Sequence, residues 1–365
     1  MKNTFGNSIA VTLFGESHGE AIGAVIDGLA PGIKIDKDYI SARLDERKPK
    51  GKISTARREG DEFEIVSGAF NGYTTGTPLA ILIRNTSTKS SDYAQLKDTP
   101  RPSHADYTAE IKYRGYQDYR GGGHFSGRIT AALVAAGAII RYALEAKGIK
   151  IGTHVLRLHG ITDRAFMNLD EDIAALNGVS FPVLDDGAKA DMMKIAEDAA
   201  ERGDSVGGVL ESVIIGVPAG VGEPWFDTLE GVLAHALFSV PAVKGVEFGL
   251  GFGFADAYGS EANDEFVIKD GAIKTTTNNN GGINGGISNG MPITFRTAIK
   301  PTPSIFKKQS TVNMKEMTEC ELEISGRHDP AIIHRARAVV DAIAAITIAD
   351  MLALKYGTDW LGESN

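Results

Sequence analysis

A polar stretch, RPSHADYTAEIKYRGYQDYRGGGHFSGR (101–128), is followed directly by an apolar one, ITAALVAAGAIIRYAL (129–144). The first part holds four Arg, one Lys, four Tyr, two His and a Gly triplet, without an apolar run. Such a stretch is too polar for a core and too rich in aromatic residues for a flexible linker. It predicts a binding loop that ends in a glycine turn at the start of a buried helix, where backbone N–H groups attract phosphate and other anions.

Outward from this helix, groups of strands separated by glycine turns accompany further helical segments. The patterns predict helices at 37–47, 128–147, 189–202 and 334–355, and strands at 63–68, 78–85 and 292–299. This grouping favours an α+β fold with antiparallel sheets. A dinucleotide-binding sheet is not expected, because no G-x-G-x-x-G follows a strand at the start of a helix.

The sequence also contains a faint internal echo. AIGAVIDGLAPG (21–32) predicts a strand and a Pro-Gly turn before the first helix, and SVGGVLESVIIGVPAGVGEP (205–224) repeats this order before a helical pattern at 227–240. Two similar strand–helix halves would explain the echo, and chance similarity of glycine and proline turns is the alternative. No low-complexity linker or charge block marks a boundary, so we expect one domain over residues 1–365.

Composition narrows the range of functions. The chain has 365 residues, 42% of them hydrophobic, and 43 glycines, which predicts a full core and many tight loops. A net charge of −9 argues against a nucleic-acid or membrane-surface protein, so any anion site must be a local basic patch. The single cysteine, Cys320, excludes an intrachain disulfide and a cysteine metal cluster, and no metal is expected. Since neither a signal peptide nor a membrane-length apolar run is recognised, we predict a cytoplasmic protein.

A first candidate site follows the predicted strand IAVTLF. GESHG (15–19) sets Ser17 and His18 at the strand end between glycines, a position that suits a proton-transfer group. A nucleophile elbow is not indicated, because a glycine-broken strand follows where that motif requires a helix. The alternative is a capping serine and a surface histidine in a turn.

A second candidate is RPSHAD (101–106), which sets His104 after a proline turn with Arg101 and Asp106 beside it. A neighbouring carboxylate can orient an imidazole and shift its protonation. A histidine with a purely structural role is the alternative.

Four further segments offer charges or bare backbone: RKPKGKISTARRE (47–59), TTTNNNGGINGGISNG (275–290), KPTPS (300–304) and GRHDP (326–330). In an acidic protein the basic run, extended by Arg43, indicates an anionic ligand, and a solvated loop is the alternative. The glycine-rich run offers backbone groups to a ligand, with disorder as its alternative. Asp329 in the last segment is either a functional carboxylate or a cap for the helix that follows.

The chain resembles the chorismate synthase family in the order, spacing and surroundings of six motifs: GESHG (15–19), RPSHADYT (101–108), RGGGHFSGR (120–128), GGINGGIS (281–288), KPTPS (300–304) and GRHDP (326–330). The resemblance implies a β-α-β sandwich with long helices between antiparallel sheets. It implies conversion of 5-enolpyruvylshikimate 3-phosphate to chorismate with loss of phosphate. It also implies bound reduced FMN (FMNH2), with NADPH as a candidate reductant, and a homotetramer.

The resemblance further implies roles for particular residues. His18 would give a proton to the departing phosphate, His104 would support the reduced flavin, and Asp329 would take the proton from flavin N5 with Ser17 and Ser126 as relays. The residues implied for substrate anions are Arg47, Arg101 and Arg128. Those implied for flavin contact are His124, Phe125, Ser126, Pro241, Ala242, Gly285, Lys300, Pro301, Thr302, Pro303, Ser304 and Arg327.

The chain departs from the family pattern at two of these places. The common loop RGGGRSSARET stands here as RGGGHFSGRIT, with His124 and Phe125 in place of Arg and Ser. The common Asn-Ala is Pro241-Ala242 here, which removes a side-chain amide. Flavin contacts through these side chains must differ, whereas contacts through the backbone are unaffected.

Two other functions remain open on sequence alone. A flavin reductase or other FMN oxidoreductase would use the same loops and consume NAD(P)H stoichiometrically. A non-catalytic anion-binding protein would be built around the basic run at 43–58, and its two histidines and aspartate would then be surplus.

Overall fold

The computed structural model describes residues 2–49, 51, 53–54, 60–86, 96–324 and 329–362. The strands in chain order are β1 Thr4–Phe5, β2 Ala10–Gly15, β3 Ala21–Asp27, β4 Phe63–Ser67, β5 Ala69–Phe70, β6 Tyr73–Thr74, β7 Leu79–Arg84, β8 Lys150–Leu158, β9 Ile161–Thr162, β10 Gly208–Ile215, β11 Val243–Phe248, β12 Phe266–Lys269, β13 Ala272–Thr275, β14 Ile283–Asn284, β15 Ile287–Ser288, β16 Ile293–Ile299, β17 Gln309–Asn313 and β18 Thr318–Leu322. The α-helices are α1 Lys37–Arg47, α2 Asp106–Tyr113, α3 Thr130–Ala146, α4 Leu169–Ala175, α5 Asp186–Glu201, α6 Leu229–Ser239, α7 Gly259–Ala262 and α8 Ile333–Tyr356.

Two five-stranded antiparallel sheets enclose a layer of helices. Their strand orders are β1-β2-β3-β7-β4 and β11-β16-β10-β8-β9. Helix α3 packs on β3 and β7 of the first sheet, α8 packs on β8 and β10 of the second, and the two helices pack on each other. One contiguous cluster of buried apolar side chains runs through these layers. This arrangement confirms the predicted α+β sandwich.

The two strands of the internal echo occupy equivalent places. Strand β3 is the middle strand of the first sheet and leads to α1, and β10 is the middle strand of the second and leads to α6. Helix α1 packs on α3 and α8, while α6 packs on α8 and β11. The repeated order of strand, turn and helix in the sequence therefore corresponds to two similar halves.

The long helices lie where the patterns predict them, and small residues explain how closely they pack. Helix α3 is buried along nearly its whole length. A Cβ atom at Gly137 would lie 2.5 Å from the Cβ of Ala342 on α8, so only glycine permits this crossing. Residues Gly127–Ala146 are also long and apolar enough to cross a membrane, a candidate that the sequence analysis did not recognise. The window is 83% buried inside the fold, as the core helix of a globular protein is.

One predicted loop contains a helix. Within 101–128, residues Asp106–Tyr113 form α2, of which only Ala109 is buried. Because the helix buries so little, it carries almost no apolar periodicity, which is why the pattern did not indicate it.

The two ends of the chain are joined by a buried carboxylate. Asp350 on α8 is fully buried and accepts hydrogen bonds from the backbone N–H groups of Asn7, Ser8 and Ile9 at 2.9, 2.7 and 2.9 Å. The start of β2 is thus fixed to the last long helix, since three backbone donors, of which that of Ile9 is buried, depend on one side chain.

Candidate active site

The glycine triplet of the predicted loop lies between two histidines. Gly121, Gly122 and Gly123 have φ values of 60°, 81° and 53°, a conformation that strongly favours glycine. A Cβ atom at Gly121 would lie 2.2 Å from Cε1 of His18, and one at Gly122 would lie 3.4 Å from Cε1 of His104. The bare backbone of the loop therefore lies directly against both imidazoles.

GESHG meets the same loop at the end of β2. The backbone N–H of Ser17 donates to the carbonyl of Gly123 at 3.1 Å, and Nδ1 of His124 lies 2.8 Å from the carbonyl oxygen of Gly15. Ser17 is fully buried, and its Oγ has no hydrogen-bond partner among the described residues. A buried hydroxyl of this kind is costly unless a ligand or water completes its bonding.

RPSHAD folds into a compact ionic cluster. Asp106 accepts hydrogen bonds from Nε and Nη2 of Arg101, both at 2.8 Å, and its Oδ1 lies 2.7 Å from Nδ1 of His104. Burial opposes the ionised form of Asp106, but the hydrogen bonds from Arg101 and His104 outweigh it and hold the pKa of Asp106 well below its ordinary value. The neighbouring carboxylate foreseen from the sequence is in contact with the imidazole.

KPTPS connects this cluster to the second half of the molecule. Ser304 Oγ accepts from Nη1 of Arg101 at 3.3 Å, and Nζ of Lys300 donates to the backbone carbonyl of Ser103. The backbone N–H of Lys300 donates to the carbonyl of Ala242 at 2.9 Å, which brings the turn after α6 to the same place. Pro301 and Pro303 restrict the backbone here. Between them, Thr302 has a buried Oγ1 without a hydrogen-bond partner among the described residues.

A pocket of about 220 Å³ lies on one side of the glycine loop and is lined by three arginines. Arg47 donates to Asp61 at 3.1 Å, and Arg128 pairs with the other oxygen of the same carboxylate. Arg128 also donates to Oδ1 of Asn85 at 3.0 Å. The third arginine, Arg335, donates to the backbone carbonyl of Arg47 at 2.8 Å.

The charges in this pocket stabilise one another. Burial lowers the pKa of Arg47, opposed by the nearby charge of Asp61. Burial would raise the pKa of Asp61, but the guanidinium groups of Arg47 and Arg128 outweigh it, so that its pKa lies below the ordinary value. Guanidinium groups held in this way are oriented before any ligand binds, and they suit carboxylate and phosphate groups.

Asp329 lies in the same pocket with Ser126 and Pro241. Its carboxylate pairs with the guanidinium of Arg335. The cap position of α8 is Ile332, so the capping alternative for Asp329 is wrong. The structure thus brings Asp329 together with Arg47, Arg128 and Ser126, which lie far apart in the sequence.

A second pocket, of about 320 Å³, lies against the other part of the loop. Its lining includes Glu16, His104, Gly122, His124 and Phe125, and Phe125 packs edge-on against Tyr113 at 6.0 Å between ring centres. The loop 120–128 is therefore a wall common to both pockets, with Ser126, Gly127 and Arg128 facing the first.

Not every predicted residue joins this site. Gly285 lies in the turn between β14 and β15, where the carbonyl of Gly286 accepts from Leu229 at the start of α6, whereas Pro241 follows the other end of that helix. Neither described pocket lining includes Gly285, and Ser17, His18 and Arg101 also line neither pocket but contact the glycine loop or His104, as Gly285 does not. Arg43 of the basic run pairs with Glu46 and donates to Asn177, away from the pockets. Arg327, and the basic residues at 50, 52, 57 and 58, lie outside the described residues.

Sequence reasoning missed two members of the arginine pocket. Asp61 lies in an unremarkable acidic stretch, and only the fold brings it between Arg47 and Arg128. Arg335 lies two residues into α8, where the helical pattern gives no sign that its side chain turns back to Asp329. Neither residue carries a local signal, because each acts through partners distant in the sequence or across a turn.

Comparison with known proteins shows the family of the chain. Residues 9–353 match the model of the family described as chorismate synthase. The chain is 49% identical to the chorismate synthase of Thermococcus gammatolerans over 95% of this chain and 96% of that protein. It is also 49% identical to that of Dehalococcoides mccartyi over 98% of both. A solved structure described as a crystal structure of chorismate synthase superposes with a TM-score of 0.75 at 30% identity, covering 97% of this chain and 94% of that one.

The family match over residues 9–353, the near-complete coverage of these relatives and the superposition on the solved structure agree with one another. The chain belongs to the chorismate synthase family and is a lyase that forms chorismate.

Proposed function

We propose that the chain converts 5-enolpyruvylshikimate 3-phosphate to chorismate by a 1,4-elimination, as part of the shikimate pathway to aromatic amino acids. The C3–O bond to phosphate breaks, a hydrogen leaves C6, and a new double bond forms without net redox change. The observation that carries the proposal is the arginine pocket beside the histidine-bearing glycine loop. The substrate has one phosphate and two carboxylates, and in a protein of net charge −9 this pocket offers a local concentration of guanidinium groups.

The chain's own side chains have distinct tasks in this proposal. Arg47 and Arg128, held by Asp61, bind substrate anions, and Arg101 is oriented by Asp106 for the same purpose. His18, held against Gly121, gives a proton to the departing phosphate. Asp329 receives the proton lost from C6, with the hydroxyl groups of Ser17 and Ser126 as relays. These two serines lie near each other, because the backbone N–H of each donates to the carbonyl of Gly123. An imidazole acid and a carboxylate base suit proton transfer near neutral pH.

Reduced FMN is the proposed cofactor, and the residues present fit an anionic, hydrogen-bonding group. Ser17 and Thr302 present buried hydroxyls without partners among the described residues, and the glycine loop presents bare backbone beside both histidines. Reduced FMN, when bound there, would supply a transient electron, a chemistry that side chains lack. The residues proposed to hold it are those around His124–Ser126, Pro241–Ala242 and Lys300–Ser304, with Gly285 and Arg327 as further members. NADPH is its proposed reductant.

The test is anaerobic incubation of the protein with reduced FMN and substrate, followed by assay of chorismate, phosphate and flavin oxidation state. We expect chorismate and phosphate in equal amounts and no net flavin oxidation. Stoichiometric NAD(P)H consumption without chorismate would favour a flavin reductase, and anion binding without turnover would favour a binding protein. NADPH oxidation by the protein loaded with oxidised FMN tests the proposed reductant.

A homotetramer formed from single-domain chains of residues 1–365 in the cytoplasm completes the proposal. Large aromatic side chains are exposed on the second half of the chain, including Phe226 at 95%, Trp225 and Phe252 at 84%, and Tyr258 at 77% exposure. Exposed apolar surface of this extent is typical of subunit interfaces. Light scattering after size-exclusion chromatography should give four times the chain mass of 38.8 kDa, and a monomer mass would contradict the assembly.

A further inference from the structure

We infer that Asp106 is a positioning residue, which fixes the tautomer of His104 and thereby decides which ring nitrogen faces the site. The inference deepens the proposed function and rests on it. Nothing in the family comparisons assigns a role to Asp106.

The tautomer follows from the contacts of Nδ1. That nitrogen lies 2.7 Å from Oδ1 of Asp106, and a ring nitrogen with a lone pair would be repelled by a carboxylate oxygen at this distance. Nδ1 therefore carries the hydrogen and donates it to Asp106. The Nη2 atom of Arg101 also lies 3.0 Å from Nδ1, but it has an acceptor in Oδ1 of Asp106 at 2.8 Å, so this contact does not require a lone pair on Nδ1.

With Nδ1 committed to Asp106, Nε2 lies on the ring edge that faces the glycine loop. A Cβ atom at Gly122 would meet that edge at 3.4 Å from Cε1 and 3.6 Å from Nε2. His104 and Gly122 both line the larger pocket. The ring nitrogen available to a ligand or proton is thus Nε2, and Asp106 makes it so.

The carboxylate is itself held rigidly. Besides the fork from Arg101, Oδ2 accepts from the backbone N–H of Arg101 at 3.0 Å, and the side chain of Asp106 is 11% exposed. A positioning residue must have its own rotamer fixed, because a mobile side chain cannot hold the group it orients in one place. Asp106 begins α2, so the helix and the RPSHAD turn share one anchor.

The central variant is Asp106→Asn. An asparagine can still accept from Arg101, but an amide turned towards Nδ1 donates a hydrogen and forces the opposite tautomer of His104. We expect kcat to fall about 10²–10⁴-fold, the range seen when orienting carboxylates or general acids are lost elsewhere. The KM for substrate should change far less than kcat, whereas a role limited to holding the substrate-binding Arg101 would raise KM.

A double-mutant cycle separates action through His104 from action through Arg101. If Asp106 acts through His104, Asp106→Asn should add little to the loss caused by His104→Ala, since the tautomer no longer matters. Multiplying losses would overturn the inference. Chorismate formation by the wild-type protein is measured in the same assay, so its absence would reject the proposed function instead.

Asp172→Asn is the matched control. Asp172 also accepts a fork from an arginine, Arg164, at 3.0 and 2.6 Å and a backbone N–H from Met167, but it lies on α4 away from both pockets. We expect a similar change in melting temperature for the two variants and unchanged turnover for the control. Equal loss of turnover in both would show a general effect of losing a buried ion pair and would overturn the inference.

Discussion

Gly121 leaves no room for a methyl group between the loop and His18. In Gly121→Ala the new Cβ would lie 2.2 Å from the imidazole, at a backbone φ of 60° that alanine rarely adopts. We expect the ring to be displaced and turnover to fall by about 10²-fold or more, because misplacement of a reacting group by about 1 Å has that effect. Steady-state kinetics check the prediction, with Gly259→Ala as control, since a Cβ there meets nothing within 4 Å. Wild-type turnover in Gly121→Ala would mean that His18 needs no fixed place.

Asp329 allows a test in which charge changes and shape does not. Asp329→Asn keeps an oxygen that accepts from Arg335, so we expect the free energy of unfolding to change by no more than about 1 kcal/mol. An amide cannot take a proton at neutral pH, so turnover should fall about 10²–10⁴-fold. Thermal melting and chorismate formation measure the two effects. Full activity in this variant would move the base to another group.

On the second sheet, a buried histidine with two carboxylate partners makes the free energy of unfolding depend on pH. Burial opposes protonation of His154, but hydrogen bonds from the ring to Asp163 and Glu211 outweigh it and raise the pKa of His154 above its ordinary value. A raised histidine pKa adds stability below about pH 6.5, the unfolded value, and that stability is lost as pH rises through the folded pKa. The wild-type urea midpoint should therefore fall as pH rises above about 6.5, as far as His154 determines it.

We expect His154→Gln to remove this component, so that the difference between its stability and that of the wild type shrinks as pH rises above about 6.5. Urea unfolding across that range provides the measurement. His159→Gln, at the exposed position directly after β8, is the control and should follow the wild type. A constant difference for His154→Gln would mean that His154 is neutral in the folded protein.

The sequence predicted the elements that bury a strong periodic face and missed those that do not. Helix α1 begins and ends where predicted, since Asp36 caps it by accepting from the N–H of Tyr39 at 3.0 Å. Helix α2 was missed because it buries almost nothing. The site divides in the same way: the histidines stand in motifs that are visible locally, whereas Asp61 and Arg335 become part of the pocket only through tertiary contacts.

At the scale of the whole molecule, Asp350 on α8 holds a segment that is more than 340 positions away in the sequence. In Asp350→Asn the amide would turn a donor towards at least one of three backbone N–H groups, those of Asn7, Ser8 and Ile9, whose hydrogen bonds are buried or part-buried. Each unsatisfied buried donor costs about 1–3 kcal/mol, so we expect a clear fall in urea midpoint without direct damage to the site. Asp191→Asn, at an exposed position of α5, should have no such effect. Equal midpoints for the two variants would contradict the anchoring role of Asp350.

The same contact has a consequence for the growing chain during synthesis. The amides of residues 7–9 are made long before their acceptor, which is separated from them by 341 to 343 positions. At about 5–20 residues per second, those amides must wait many seconds before their partner is made. The segment before β2 can therefore reach its final, hydrogen-bonded state only after α8 has been made. Removal of the last helix should yield a polypeptide that binds chaperones rather than a smaller native protein.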